Sequence, residues 1–209
     1  MAGLTPAELE SRLDALAKPG RRLLAGIAGA PGSGKSTLAE RLADSLDQPG
    51  RRVASMPMDG FHYDDAVLNA AGIRPEKGAP HTFDFDGFKA MLERLKTGGR
   101  EVAIPVFHRQ TETAHNAARI IAADTVLIII EGNYLLLDED PWRSLKQLFD
   151  VTVFAEVSEA ELGRRLTQRW LGFGFSPADA HARAYGHDMD NGRRIIAHRL
   201  EPDFTVLNV

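Results

Sequence analysis

Residues Gly29-Ala30-Pro31-Gly32-Ser33-Gly34-Lys35-Ser36, followed by Thr37, set two glycines five positions apart ahead of a Lys-Ser pair. That spacing makes a phosphate-binding loop. The glycines at 29, 32 and 34 are expected to take positive φ and turn backbone N–H groups inward. Those N–H groups, with the N-terminus of a following helix, form an anion site. Lys35 would reach the β- and γ-phosphates of a nucleoside triphosphate, and the Ser36 hydroxyl would bind Mg²⁺. The run Leu23 to Ala28 before the loop is short and apolar, as in a buried strand. Leu38, Leu42, Ala43 and Leu46 recur after it at helical spacing. A strand before and a helix after is the context the motif requires.

Other chemistry-bearing residues close further predicted strands. Val53 to Met58 reads as a strand and leads into Asp59. In a parallel α/β sheet, ligands sit beyond the carboxyl ends of the strands, so Asp59 would share a rim with Lys35. There it could act as general base on an acceptor hydroxyl. The competing reading is an Asp-Gly turn. The strongest strand, Thr125 to Ile130, ends in Glu131, the position of an acid that holds Mg²⁺ beside the γ-phosphate. His62, Phe107, Arg109, Asn133 and Tyr134 stand at or just past the same strand ends and form the candidate acceptor set. Arg165 and Arg169 are four apart on a helix capped by Ser158 and could offset charge on the transferring phosphoryl group. Equally, Glu161 stands four residues before Arg165 and could bridge to it. Gly172-Phe173-Gly174 breaks this helix and Ser176-Pro177 opens another, the pattern of a closing lid over about residues 165–192.

These residues need an α/β frame. Thr5, Pro6 and Glu8 form a capping box for a first helix with Leu9, Leu13 and Leu16 on its apolar face and a stop at Lys18-Pro19-Gly20. Residues 62–87 are long, irregular and mixed in charge, as in an acceptor-binding loop. Phe88, Met91, Leu92 and Leu95 mark an amphipathic helix ended by Gly98-Gly99, and Glu101 to Ile104 a short strand. Pro141 opens a short helix, Asp150 to Glu156 is a strand, and Phe204 to Val209 is the last strand.

The chain has 209 residues, a net charge of −4 and no cysteine. With no linker-like stretch, residues 1–209 read as one domain. The charge argues against a nucleic-acid partner. The absence of cysteine excludes a disulfide framework and fits the cytoplasm. The run Val126 to Ile130 is far too short to cross a membrane, and Met1 to Glu10 lacks the pattern of a signal peptide.

Together, Gly29 to Thr37, Met58 to His62, Pro105-Val106-Phe107, Ile130 to Leu136 and Arg164-Arg165 resemble the uridine kinase, phosphoribulokinase and pantothenate kinase group of P-loop small-molecule kinases. Glu131 to Leu137, Pro141-Trp142 and Gln168 to Leu171 are similar to the bacterial branch labelled nucleoside/nucleotide kinase or fructose transport system kinase. The resemblance implies a three-layer P-loop fold: a parallel five-stranded sheet in order 2-3-1-4-5, flanking helices and a helical lid. It also implies Asp59 as base, on a strand expected beside the P-loop strand, and γ-phosphoryl transfer from ATP to a sugar, nucleoside or related alcohol. A homodimer is compatible with it. Phe107 departs from the tyrosine common in relatives that bind uridine or pantothenate. The alternative is a regulatory P-loop NTPase, but no Asn-Lys-x-Asp guanine motif occurs.

Overall fold

The computed structural model describes residues 3–18 and 20–207. Helix α1 (Pro6–Leu16) starts on the expected capping box, with Thr5 and Glu8 satisfying each other's backbone N–H groups. Leu9 and Leu13 are buried, but Leu16 is 44% exposed, so the apolar face is shorter than its spacing suggests. The predicted stop at Pro19 lies outside the described residues.

Strand β1 (Leu23–Ala28) and helix α2 (Lys35–Leu46) flank the phosphate loop. Strand β2 (Arg52–Pro57) gives way to a 3-10 turn, Met58–Phe61, so Met58 leaves the strand that the sequence assigns it to. The segment expected to be irregular holds helix α3 (Asp65–Ala70), whose first turn is capped by the Asp64 side chain, and two 3-10 turns. Helix α4 (Phe85–Thr97) follows, capped by Asp84.

The short predicted strand becomes β3 (Val102–His108), and it pairs antiparallel with β4 (Thr113–Ile121). The sequence reading did not find β4. Seven of its nine residues are exposed, which erases the apolar alternation that marks a strand. This hairpin is a separate two-stranded sheet. Gly60 fixes its approach to the Asp59 turn, because a Cβ there would lie 2.6 Å from the Pro105 carbonyl oxygen.

Strand β5 (Thr125–Gly132) is buried throughout, and β6 (Val151–Glu156) nearly so. Between them Trp142–Leu148 forms a 3-10 helix. Helices α5 (Glu159–Gly172), α6 (Pro177–Arg183) and α7 (Met189–Ala197) occupy the region expected as a lid, with a wide turn at Ala184–Asp188. Gly186 leaves helical geometry in that turn, at φ −90° and ψ −113°. Strand β7 (Phe204–Leu207) is last; Asn208 and Val209 lie outside the described residues.

The main sheet runs β2-β5-β1-β6-β7, every pair parallel. Counting its five strands alone in chain order, this is 2-3-1-4-5, as expected. Side chains alternate across it. Leu24, Ala28, Ile128 and Ile130 face α4 and Trp142, while Ala25, Ile27, Leu127 and Ile129 face α1 and α2. Both faces are therefore covered, and the carboxyl rim of the sheet is left for chemistry.

Candidate active site

At that rim the phosphate loop joins β1 to α2. Gly32 and Gly34 hold φ of +80° and +78°, a conformation that L side chains rarely adopt. Gly29 is not of this kind, contrary to the sequence reading. Its lack of a side chain instead prevents a clash, since a Cβ would lie 2.6 Å from Ser33 Oγ and 3.1 Å from the Ala155 carbonyl oxygen. Ala30 and Ser33 are buried, Pro31 is half-buried, and the Thr37 side chain faces outward from the helix start. Helices α5 and α7 pack over the loop, bringing Leu162, Leu166 and Met189 against Ala30.

Lys35, at the first position of α2, is buried at 9% exposure. Burial lowers its pKa, while Glu131 and then Asp59 oppose that shift. Glu131 is paired in register with Ile27 of β1 on one side and Pro57 of β2 on the other. Its carboxylate accepts a 3.0 Å hydrogen bond from Ser36 Oγ. Burial pushes Glu131 up to about 7, with Lys35 pulling the other way and Asp59 adding to the rise.

Asp59 sits two residues past the end of β2. The sequence reading set that strand beside β1, but the order 2-3-1-4-5 itself puts a strand between them, and β5 lies there. The distance is closed by the 3-10 turn, which returns Asp59 toward Lys35. Partial burial would raise the Asp59 carboxyl, but Arg109, His62, Lys35 and Arg169 together hold it below the usual range. Arg109, in the turn after β3, donates from Nη2 to Asp59 Oδ2.

Two of the candidate arginines separate here. Arg165 donates from Nε to Glu161 Oε1 at 2.7 Å, the bridge the sequence allowed. Arg169, one turn on, is drawn into the site: burial and the nearby Arg109 guanidinium lower its pKa, and Asp188 and Asp59 oppose them. Among the described residues no carboxylate lies within ion-pairing distance of Arg169.

Of the acceptor candidates, His62, Phe107 and Arg109 are in contact with one another. His62 is stacked on Phe83 with ring centroids 4.0 Å apart and leans on Phe107 at 4.9 Å. Burial drives His62 down to about 4, so the ring is neutral at pH 7. Its Nδ1 is buried without a hydrogen-bond partner, as is Asn133 Oδ1. Buried polar atoms without a partner are costly unless a ligand or water meets them. Tyr134 is placed differently from its role in the sequence reading. Its ring is fully buried against Phe83 and Trp142, and its hydroxyl donates to the Gly78 carbonyl. It supports Phe83 rather than facing an acceptor. Sequence reasoning had Lys77 only as part of the 62–87 loop, gave it no role of its own, and did not find the Glu112 turn, which bears on the same region. Their one sequence signal was the Lys-Gly-Ala-Pro run at 77–80.

A profile of the phosphoribulokinase / uridine kinase family matches residues 24–171, a span that holds the phosphate loop, Asp59, Glu131 and Arg169. The chain belongs to that family. It is 32% identical over 208 residues to the "putative uridine kinase" of Schizosaccharomyces pombe, a match covering 95% of this chain and 88% of that protein. The crystal structure of a "putative fructose transport system kinase" from Silicibacter sp. TM1040 aligns with a TM-score of 0.91 and 43% identity, over 97% of this chain and 99% of that one. YFH7 from Saccharomyces cerevisiae, with a TM-score of 0.83 at 18% identity over 98% of both chains, shows likeness of fold alone. As a phosphoribulokinase / uridine kinase family member, this protein is an ATP-dependent phosphotransferase that acts on a hydroxyl group of a small molecule. No helix among the described residues is long and apolar enough to cross a membrane.

The family implies a divalent metal with the nucleotide. The donors present fit one. Ser36 and Glu131 offer two oxygens at one point, and burial of the Glu131 carboxylate outweighs the pull of Lys35 and Arg109, leaving room for a further cation. Among the described residues no cluster of three acidic, histidine or cysteine side chains forms a protein cage. That suits Mg²⁺, which takes one or two protein oxygens and completes its shell with phosphate and water.

Proposed function

We propose that this protein transfers the γ-phosphoryl group of ATP to a hydroxyl of a small polar metabolite, a sugar, nucleoside or related alcohol, with Asp59 as general base. The observation that carries the reading is the meeting of Asp59, Lys35 and Glu131 at the carboxyl end of the sheet, where Glu131 holds Ser36 at 3.0 Å, the buried Lys35 feels both carboxylates, and Asp59 bears on both Lys35 and Glu131. Gly29 to Thr37 enclose the phosphates. Lys35 and Arg169 offset the charge that spreads over the transferring group. Ser36 and Glu131 would hold Mg²⁺, which supplies charge neutralisation between the β- and γ-oxygens.

Asp59 is ionised at pH 7 and is a weak base because Arg109 stabilises its charge. That is adequate for phosphoryl transfer. In a loose transition state the acceptor O–H breaks late, when bonding to phosphorus has made its proton acidic. Asp59 then orients the hydroxyl and takes the proton as ADP leaves. His62 Nδ1, Asn133 Oδ1, Phe107 and Arg109 would present polar and aromatic groups to the acceptor.

The test is ATP consumption by the purified protein against panels of nucleosides, sugars, sugar phosphates and pantothenate-like alcohols. A regulatory NTPase would hydrolyse ATP slowly with no dependence on any acceptor.

A further inference from the structure

Lys77 stands where three segments meet, and the phosphoryl-transfer chemistry above makes no use of it. Its side chain is 6% exposed. Nζ lies 2.6 Å from Asp65 Oδ1 at the start of α3. The same nitrogen donates to the Glu112 carbonyl at 3.0 Å, lies 3.6 Å from Glu112 Oε2, and sits 5.2 Å over the Phe107 ring. Glu112 belongs to the turn between β3 and β4 and holds φ of +54° there. The backbone of Lys77 meets the lid: its carbonyl is 3.3 Å from His187 Nε2. That nitrogen is also 3.2 Å from Asn191 Nδ2 on α7.

Arg109 is three residues before Glu112 in the same turn. Within the hairpin Thr111 bonds to the His108 carbonyl and to Thr113; among the described residues, the hydrogen bonds and ion pairs from residues 109–112 to segments outside the hairpin go to two side chains, Asp59 and Lys77. The turn is otherwise exposed, and outside the hairpin, whose own Phe107 ring lies 5.6 Å from the Arg109 guanidinium, these two side chains are its anchors. A short exposed turn with few anchors opens locally at low cost.

The geometry points to Lys77 as a positioning residue. It fixes the hairpin turn so that Arg109 stays on Asp59, and it ties that turn to the lid through His187. The inference rests on the reading of Asp59 as the base, but its test does not use turnover.

Lys77→Met should fold, because the carboxylates it leaves behind, Asp65 and Glu112, are 37% and 47% exposed and water can reach them. Hydrogen exchange followed by mass spectrometry should show faster exchange in 108–113 and 184–191, with α2 and β5 unchanged. His187→Ala should speed exchange in the lid and leave the turn as it was. In ¹³C NMR titrations the Asp59 carboxyl midpoint should rise in Lys77→Met by roughly half a unit or more. In an Arg109→Met background, adding Lys77→Met should give no further rise, because its effect runs through Arg109.

Equal shifts in both backgrounds would mean a direct charge effect, and unchanged exchange in 108–113 would mean a local strut for α3; either overturns the proposal. Should Lys77→Met fail to fold, Lys77→Gln keeps a donor for the Glu112 carbonyl and is read in the same two ways. Calorimetry with ATP and Mg²⁺ should show wild-type affinity in Lys77→Met and His187→Ala, and a loss of nucleotide affinity in Lys77→Met would overturn a role confined to the hairpin turn and the lid. If these couplings hold while no acceptor stimulates ATP consumption, the kinase reading fails and the positioning role stands.

Discussion

Arg109 Nη2 donates to Asp59 Oδ2 across 50 residues of chain, from an exposed hairpin turn to the 3-10 turn that follows β2. The proposed base is therefore held by a residue outside the main sheet. This contact keeps the carboxylate ionised and aimed, and it also occupies one of its two oxygens.

Replacing Asp59 tests the base. Asp59→Asn preserves size and one acceptor oxygen but cannot take a proton. Acceptor-dependent turnover should fall on the order of 10²–10⁴-fold. Affinity for ATP with Mg²⁺, measured by calorimetry, should stay near wild type. A collapse of nucleotide affinity would instead make Asp59 a metal ligand, and unchanged turnover would return it to a turn residue.

Removing Arg109 tests how the carboxylate is held. Arg109 is the largest influence lowering the Asp59 pKa, so Arg109→Met should raise it. A base works when ionised, so the acidic limb of the pH profile of kcat/KM should move to higher pH. A limb that stays in place would assign it to another group.

Lys35→Ala should abolish turnover and weaken ATP binding, because it removes the buried charge that meets the β- and γ-phosphates. The same change takes from Glu131 its main cationic neighbour. Wild-type turnover in this variant would rule out the phosphate-loop assignment.

The two lid arginines should behave differently. Arg169 lies in the site with no carboxylate in ion-pairing range among the described residues, and it is one of the charges acting on Asp59. Arg165 is bonded to Glu161. Arg169→Ala should lower kcat by on the order of 10²-fold or more with little change in KM for ATP, as expected of charge used in the transition state. Arg165→Ala should cost less. Steady-state kinetics of both variants decide it, and equal losses would contradict the division.

His62 predicts a pH dependence of stability. Its folded pKa is about 4 against an ordinary 6.5, so the unfolded chain binds the extra proton between those values. Stability from the neutral ring is complete above 6.5 and is lost as pH falls through 4, an amount on the order of 3 kcal/mol. His62→Phe removes that titration and keeps the stack on Phe83. Denaturant unfolding should show the wild type losing stability relative to this variant from pH 6.5 down to 4; parallel curves would place the ring in water.

What the sequence by itself determined was local. The glycine spacing, the Lys-Ser pair and the apolar runs around them specify a strand, a loop and a helix whose pieces are all within about twenty residues. The same holds for the capping box at Thr5 and for Glu131 closing an unbroken apolar strand. Tertiary structure decided which distant groups meet. Strand β4 is exposed along most of its length, so no apolar period announces it, and with it the position of Arg109 was hidden. Asp59 was legible as a residue at the correct rim, but not its route there. Strand β5 separates β2 from β1, and the turn at Met58–Phe61 makes up the distance. Arg165 and Arg169 share one helical face in sequence, and only packing separates them. One reaches Glu161 a turn away, while the other is pressed into the site beside Arg109. Lys77 is one cation in a polar loop until the fold brings Asp65, Glu112 and His187 around it. Short-range spacing is written in the chain, whereas a contact between segments dozens of residues apart exists only once the core has packed and fixed where each loop returns.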